Sequence, residues 1–286
     1  MSMRAKLRKY WTLTKSLQTG LLLLTGVAGT MSSRCPVMHP LTLTGLAASL
    51  FLAISGSTVL NMVFDRDIDA RMGRTCGRPL PAGSLSPRQA LLFGLALSMA
   101  GVVLALAMDR LYGAIVLAGL FFDVVVYTLW LKRRTHWSIV WGGIAGGMPV
   151  LAGRTLGLGH IDWIGVLLAL AVLLWIPSHI LTFNMRHFED YQRAGIPTFP
   201  AAYGLATTRA VIAVTSVAAA LAVAVAGIGI GMAWGFLRLL AVMGGGLLLL
   251  AFSSLWRPSE RISFGLFKYA SLYMMGSMLL VVLETA

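Results

Sequence analysis

The stretch 61-NMVFDRDIDARMGRTCGRPLPAG-83 decides how this chain is read. It follows an apolar run from Leu41 to Leu60 and then sets Asn61, Asp65, Asp67 and Asp69 close together. Arg66, Arg71, Arg74 and Arg78 accompany them, in a chain with only 10 Asp and Glu in all. Side chains four apart share one face of an α-helix, so Asn61, Asp65 and Asp69 predict a stripe of oxygen donors about 12 Å long. Asp67 points to another side. Like charges at this spacing destabilise a helix, and carboxylates at a helix C-terminus oppose its dipole. A hard divalent cation offsets both costs. Mg2+ takes oxygen ligands and commonly joins one or two carboxylates to substrate phosphates. The arginines supply forked donors for phosphate oxygens. The plainer alternative is a solvated loop in which each Asp pairs with a nearby Arg. Ionisable groups flush against a membrane run more often mark a site or pathway.

The rest of the chain is hydrophobic. Of 286 residues 58% are hydrophobic and 12% are charged, with mean hydropathy +0.82. A soluble domain carries roughly twice that charged fraction. Apolar runs near 17–34, 41–64, 89–108, 111–131, 137–156, 162–183, 206–231, 235–256 and 266–284 predict nine membrane spans. They are too long, and alternate too little, for a β-barrel. Placing the N-terminus in the cytoplasm puts 19 of the 23 Lys and Arg on that side. Only Arg34, Arg110, Arg154 and Arg238 fall outside it. That asymmetry predicts N-terminus in and C-terminus out. The basic leader before Trp11 is expected to meet anionic headgroups and lead into a retained first span. Cys35 and Cys76 fall on opposite sides of the membrane, so no disulfide is expected. The expected organisation is one transmembrane domain over 1–286, with polar cytoplasmic loops at about 65–88 and 184–205.

The second loop, 184-NMRHFEDYQRAGIPTFPAAYG-204, has the character of the first. Asn184, Glu189 and Asp190 are oxygen donors, Arg186 and Arg193 are phosphate candidates, and His187 and Tyr191 could orient a ligand or serve in proton transfer. The loops lie four spans apart, a weak echo of a duplicated four-helix unit. Between them, Lys132-Arg133-Arg134 reads as a topogenic anchor or as part of a pyrophosphate site. Gly142-Gly143 and Gly146-Gly147 allow close helix approach, or room for a bulky ligand. His179, after Pro177 within a span, is either a bundle hydrogen-bonding residue or a ligand contact.

Asn61-x3-Asp65-x3-Asp69, with Arg74-Thr75 and Arg78-Pro79-Leu80, resembles the first signature of the UbiA superfamily of intramembrane prenyltransferases. Tyr127-Thr128-x2-Leu131-Lys132-Arg133-x-Thr135, Gly142-Gly143-x2-Gly146, Pro177-x-His179 and Asp190-Tyr191-x2-Ala194-Gly195-Ile196-Pro197 resemble its haem branch. The chain departs from the family in three places. His187 and Tyr191 stand where many members carry a second Asp-x3-Asp. His179 is followed by Ile180-Leu181 rather than Phe-Trp. Lys15-Ser16 replaces a common Lys-Pro.

The resemblance implies a UbiA-type bundle in a prokaryotic cell membrane. It implies transfer of the farnesyl group of farnesyl diphosphate to a vinyl group of haem b, giving haem O. Asn61, Asp65 and Asp69 would hold Mg2+. Asp65, Asp69, Lys132 and Arg133 would be catalytic, and Arg74 and Arg78 would take phosphate charge. His179, Arg186, Glu189, Asp190 and Tyr191 would line the substrates. Haem b is then a substrate and not a cofactor, and no nucleic-acid partner is implied. Partners in haem supply or cytochrome oxidase assembly would follow. An aromatic quinone or lipid precursor as acceptor, or divalent-cation transport, are the competing readings.

Overall fold

The structure is a computed structural model that describes residues 3–34 and 39–285, so Cys35 lies outside the described residues. Among these residues every regular element is helical. The chain begins with α1 (Met3–Leu13), α2 (Ser16–Met31), α3 (Pro40–Phe64) and the short α4 (Arg66–Arg71). Next come α5 (Pro87–Met108) and α6 (Arg110–Leu120), which runs on as a π-helical stretch over Phe121–Leu131. Then follow α7 (Ser138–Leu158), α8 (Trp163–Arg186) and the short α9 (Phe188–Arg193). The chain closes with α10 (Phe199–Ile230), α11 (Trp234–Trp256) and α12 (Glu260–Thr285).

A helix stands at each of the nine apolar runs among the described residues. Seven are long and apolar enough to cross a membrane, counting Arg110–Leu131 as one. Leu17–Met31 is a shorter apolar helix, and the glycine-rich α7 is not among the seven. The expected span at 206–231 begins inside a longer element. α10 starts at Phe199 and kinks at Gly204, whose φ of 80° is open to glycine at little cost.

Helix α2 packs against α3, α7 and α12, so the first long helix closes the bundle on the last. Glycine makes the α2–α7 contact possible. A Cβ on Gly153 would stand 2.0 Å from the carbonyl oxygen of Gly26. Thr30 Oγ1 uses the same approach to donate to Gly153 O at 2.9 Å. Gly147 does the same work toward α8, where a Cβ would meet Ala169 O at 2.6 Å. The glycines of 142–157 therefore serve packing, as small residues do between membrane helices. Gly153→Leu should push α2 off α7. Overpacking of this kind costs about 1–3 kcal/mol or more. Thermal unfolding of the detergent-solubilised variant should show a lowered Tm, and an unchanged Tm would contradict the contact.

Arg154, one of the four basic residues outside the cytoplasmic set, is buried and fully engaged. It forms a two-pronged pair with Asp162, both contacts at 2.8 Å, and donates to Ser32 O at 2.6 Å. It thus ties the ends of α2 and α7 to the start of α8.

Candidate active site

The apolar helix α3 ends at Asp65, where φ −90° and ψ 4° break the helix before α4 begins. The four-residue repeat survives the break. Asp65 N donates to Asn61 O at 2.9 Å, and Asp69 N to Asp65 O at 2.8 Å. Asp67 and Asp69 therefore sit in the first turn of α4 and not at a helix C-terminus. Asp65 and Asp69 are buried, with 7% and 6% exposure. Asp67 turns away to solvent, as its spacing predicted.

Each buried carboxylate meets a cation. Lys132, at the end of the π-helical stretch, pairs with Asp65 Oδ2. Arg78 pairs with Asp69 Oδ2 at 2.8 Å. Burial pushes the Asp65 carboxyl above the usual carboxylate range, against the pull of Lys132. Asp65 Oδ1 is buried without a hydrogen-bond partner among the described residues. Arg133 takes a different direction. It closes on Asp67 with two contacts at 2.7 Å and donates to Phe64 O at 2.7 Å. The Arg133 hydrogen bond holds the Asp67 carboxyl low. Lys132 faces the buried Asp65, while Arg133 clamps the end of α3.

The two polar loops meet. Each contains a six-residue helix, α4 after α3 and α9 after α8. Ile68 and Met72 of the first pack with Ala194, Tyr191 and Ile196 of the second. Arg74 donates to Tyr191 Oη at 3.4 Å and lies over the ring of Phe183, 4.7 Å from its centroid. The Asp190 carboxylate lies beside Gly73 and pairs with Arg193 at 3.3 Å. Glu189 is 88% exposed and reaches only Arg193, at 3.8 Å. It is the one acidic residue of this loop that the fold leaves out in solvent.

Two further candidates lie apart from the aspartates. Arg186 covers the ring of Phe264, with Cζ 3.9 Å from its centroid. It lines a cavity of about 440 Å³ with Phe183, His187, Arg209, Phe264 and Phe267. His179 lies in an aromatic stack, 5.3 Å from Trp175 and 4.5 Å from Phe267 between ring centroids. Its Nδ1 is 3.1 Å from Ser271 Oγ.

The model of the UbiA prenyltransferase family matches residues 22–272. The chain belongs to that family. A protoheme IX farnesyltransferase of Archaeoglobus fulgidus is 45% identical over 200 residues, 70% of each chain. One from Thermofilum pendens is 43% identical over 211 residues, 72% of this chain and 74% of that one. Among solved structures, a digeranylgeranylglyceryl phosphate synthase superposes with a TM-score of 0.81 at 21% identity, over 98% of this chain and 99% of that one. Family membership and the apolar helices make this UbiA chain an integral membrane protein.

Three residues of the candidate site were given no role from the sequence. Asp123, in the π-helical stretch, accepts from Asn61 Nδ2 at 2.7 Å and from Ser57 Oγ. Thr128, one turn on, donates to Asn61 Oδ1 at 2.9 Å. Both ends of the Asn61 amide are thereby fixed. A signal existed, since Asp123 is a carboxylate inside an apolar run and such residues face the bundle interior. Lys15 is the third. It joins α1 to α2 with a left-handed backbone, φ 43° and ψ 56°. Burial, then the neighbouring cations Arg78 and Lys132, pull its ammonium down to about 8, against Asp69 and Asp65. No sequence spacing connects Lys15 to Asp69; only the bundle brings them together.

Among the described residues no three His, Cys, Asp or Glu side chains group to hold a metal. A metal here would rest on two carboxylates, the Asn61 carbonyl oxygen and oxygens from substrate. Mg2+ accepts such a set, because it keeps water and phosphate ligands of its own. The unpartnered Asp65 Oδ1 provides a free acceptor, and Asn61 Oδ1 keeps a second lone pair. The donor set fits Mg2+.

Proposed function

We propose that this protein transfers the farnesyl group of farnesyl diphosphate to a vinyl group of haem b, with addition of water, giving haem O and diphosphate. The acceptor is supported by the protoheme IX farnesyltransferase relative that is 45% identical over 70% of the chain. The observation that carries the chemistry is the charge arrangement. The buried carboxylates of Asp65 and Asp69 are each closed by a cation, Lys132 and Arg78, and Lys15 and Arg74 add positive charge beside them against the one further carboxylate of Asp123. That surplus suits a diphosphate bridged by a divalent ion. It would repel a bare cation in transit, which argues against a transporter.

Asn61, Asp65 and Asp69 would hold Mg2+, positioned by Asp123 and Thr128. When bound, Mg2+ supplies charge that neutralises the diphosphate oxygens. A solved UbiA homologue of Archaeoglobus fulgidus, 16% identical with a TM-score of 0.71, is described as bound to GPP and Mg2+. Lys132, Arg78, Lys15 and Arg74 would take the negative charge that develops on the leaving group. Aiming fixed charges at the leaving group is commonly the largest catalytic contribution. The bond between farnesyl C1 and the diphosphate oxygen breaks, and its electron pair leaves on oxygen. The vinyl π-pair forms the new carbon–carbon bond. Water oxygen adds to the cation left beside the porphyrin and releases one proton. The helices would shield the allylic cation from premature capture by water.

Arg133 would hold the end of α3 through Asp67. Tyr191 and Asp190 would order the second loop around Arg74. Both loops would face the cytoplasm of a prokaryotic cell, with nine helices crossing the membrane and the C-terminus outside; the one-sided Lys and Arg distribution supports this. Purified protein with haem b, farnesyl diphosphate and Mg2+ should yield haem O by mass spectrometry. No haem O from the wild type, with prenylation of a hydroxybenzoate or naphthoate instead, would move the chain to the quinone-precursor reading.

A further inference from the structure

The cavity between α8, α10 and α12 holds two guanidinium groups, Arg186 and Arg209. The Nε of Arg209 is buried without a hydrogen-bond partner, and Arg209 forms no ion pair among the described residues. The carboxylate nearest to Arg186 is Glu260, at 4.0 Å and 80% exposed. Glu260 also lines the cavity, which thus carries two guanidinium groups against one exposed carboxylate. Phe183, Phe264 and Phe267 give part of its wall flat aromatic faces. Phe264 and Phe267 lie nearly parallel, 8° between planes, and Phe267 continues the stack to His179. Phe183 lines the cavity and also carries Arg74 on its ring. The cavity therefore abuts the loop cluster through a shared side chain. Aromatic faces beside two guanidinium groups, Arg209 with a buried unpartnered Nε and Arg186 with only an exposed carboxylate at 4.0 Å, suit a planar aromatic ligand that carries acid groups along one edge.

We propose that this cavity binds the carboxylate edge of the acceptor, with Arg209 and Arg186 receiving the acid groups of a porphyrin and Phe183 and Phe267 meeting its ring. The proposal rests on the acceptor reading above and adds the site. A lipid phosphate offers the same anionic oxygens. The stacked aromatic walls favour the porphyrin.

The test uses the full chain in phosphatidylcholine nanodiscs, titrated with haem b and with its dimethyl ester, in which both acid groups are masked. Loss of a charge-assisted hydrogen bond should make Arg209→Gln bind haem b about tenfold more weakly. The ester should bind wild type and variant alike, and the KM for farnesyl diphosphate should not change. Arg186→Gln should repeat the pattern if Arg209→Gln does not fold. Equal weakening of haem b and ester in both variants, or no weakening of either, overturns the proposal. So does retention of phosphatidylglycerol by wild type but not by Arg209→Gln in native mass spectrometry, with haem b affinity unchanged; that result assigns the cavity to lipid. Haem O formation with an Arg209-independent Kd removes this site and leaves the activity standing. Arg209-dependent haem binding without haem O removes the activity and leaves the site. A wild type that binds no haem b removes both.

Discussion

Asp65→Asn should lower kcat/KM for farnesyl diphosphate by about 10²–10³-fold, the range seen when one preorganised electrostatic group is removed from a catalytic site. The substitution keeps the shape of the side chain but removes its charge. It withdraws the carboxylate that faces Lys132 and, among the described residues, the one buried carboxylate oxygen left without a partner. Lys132 is then a partly buried cation with its ion pair gone, so stability should fall as well. Breaking a buried pair from one side costs about 3–5 kcal/mol, and Lys132, at 20% side-chain exposure, should lie below that range. The two effects separate by measurement. Thermal unfolding reads the lost pair, while initial rates on the folded fraction read the chemistry. Asp67→Asn is the control, because Asp67 is half exposed and faces Arg133. A rate for Asp65→Asn within threefold of wild type would remove Asp65 from the mechanism.

Asp123→Ala should lower activity by about 10–100-fold, as loss of a partner that orients a metal ligand does. Asp123 touches no substrate in the proposed mechanism. It accepts from Ser57 and Asn61, and so sets which end of the Asn61 amide faces the site. Without it the amide can rotate, and its oxygen is no longer fixed beside Asp65. The signature of this positioning role is a rise in the Mg2+ concentration giving half-maximal rate, by about the same factor. A purely structural role would lower Tm and leave the Mg2+ dependence unmoved. Unchanged Mg2+ dependence with full activity would show that Asn61 is held by Thr128 alone.

Much of this architecture could be read along the chain. Helix position followed from apolar length, because a backbone that meets lipid must satisfy its own hydrogen bonds. The stripe of Asn61, Asp65 and Asp69 followed from helical spacing, and the outward turn of Asp67 followed from the same rule. The helix break at Asp65 did not. α4 is a separate six-residue helix, and nothing in the local sequence distinguishes it from a continuation of α3. The roles of adjacent Lys132 and Arg133 were also not separable in sequence. A single residue step at the end of the π-helical stretch sends one to Asp65 and the other to Asp67.

The sequence alone determined the solvent, the helical class and the acidic stripe, since these depend on composition and on spacing along one helix. The tertiary structure decided which charges meet. Lys15 and Lys132 come from distant segments and approach the two carboxylates only in the packed bundle, while Arg78 reaches Asp69 from nine residues away in the same loop. Asp123 gains its partner across a helix interface, 62 residues from Asn61. The cavity of Arg186 and Arg209 exists only between packed helices. Electrostatic pairing falls off steeply with distance and with exposure to water, so only the folded bundle sets which of these charges lie close enough to act on one another.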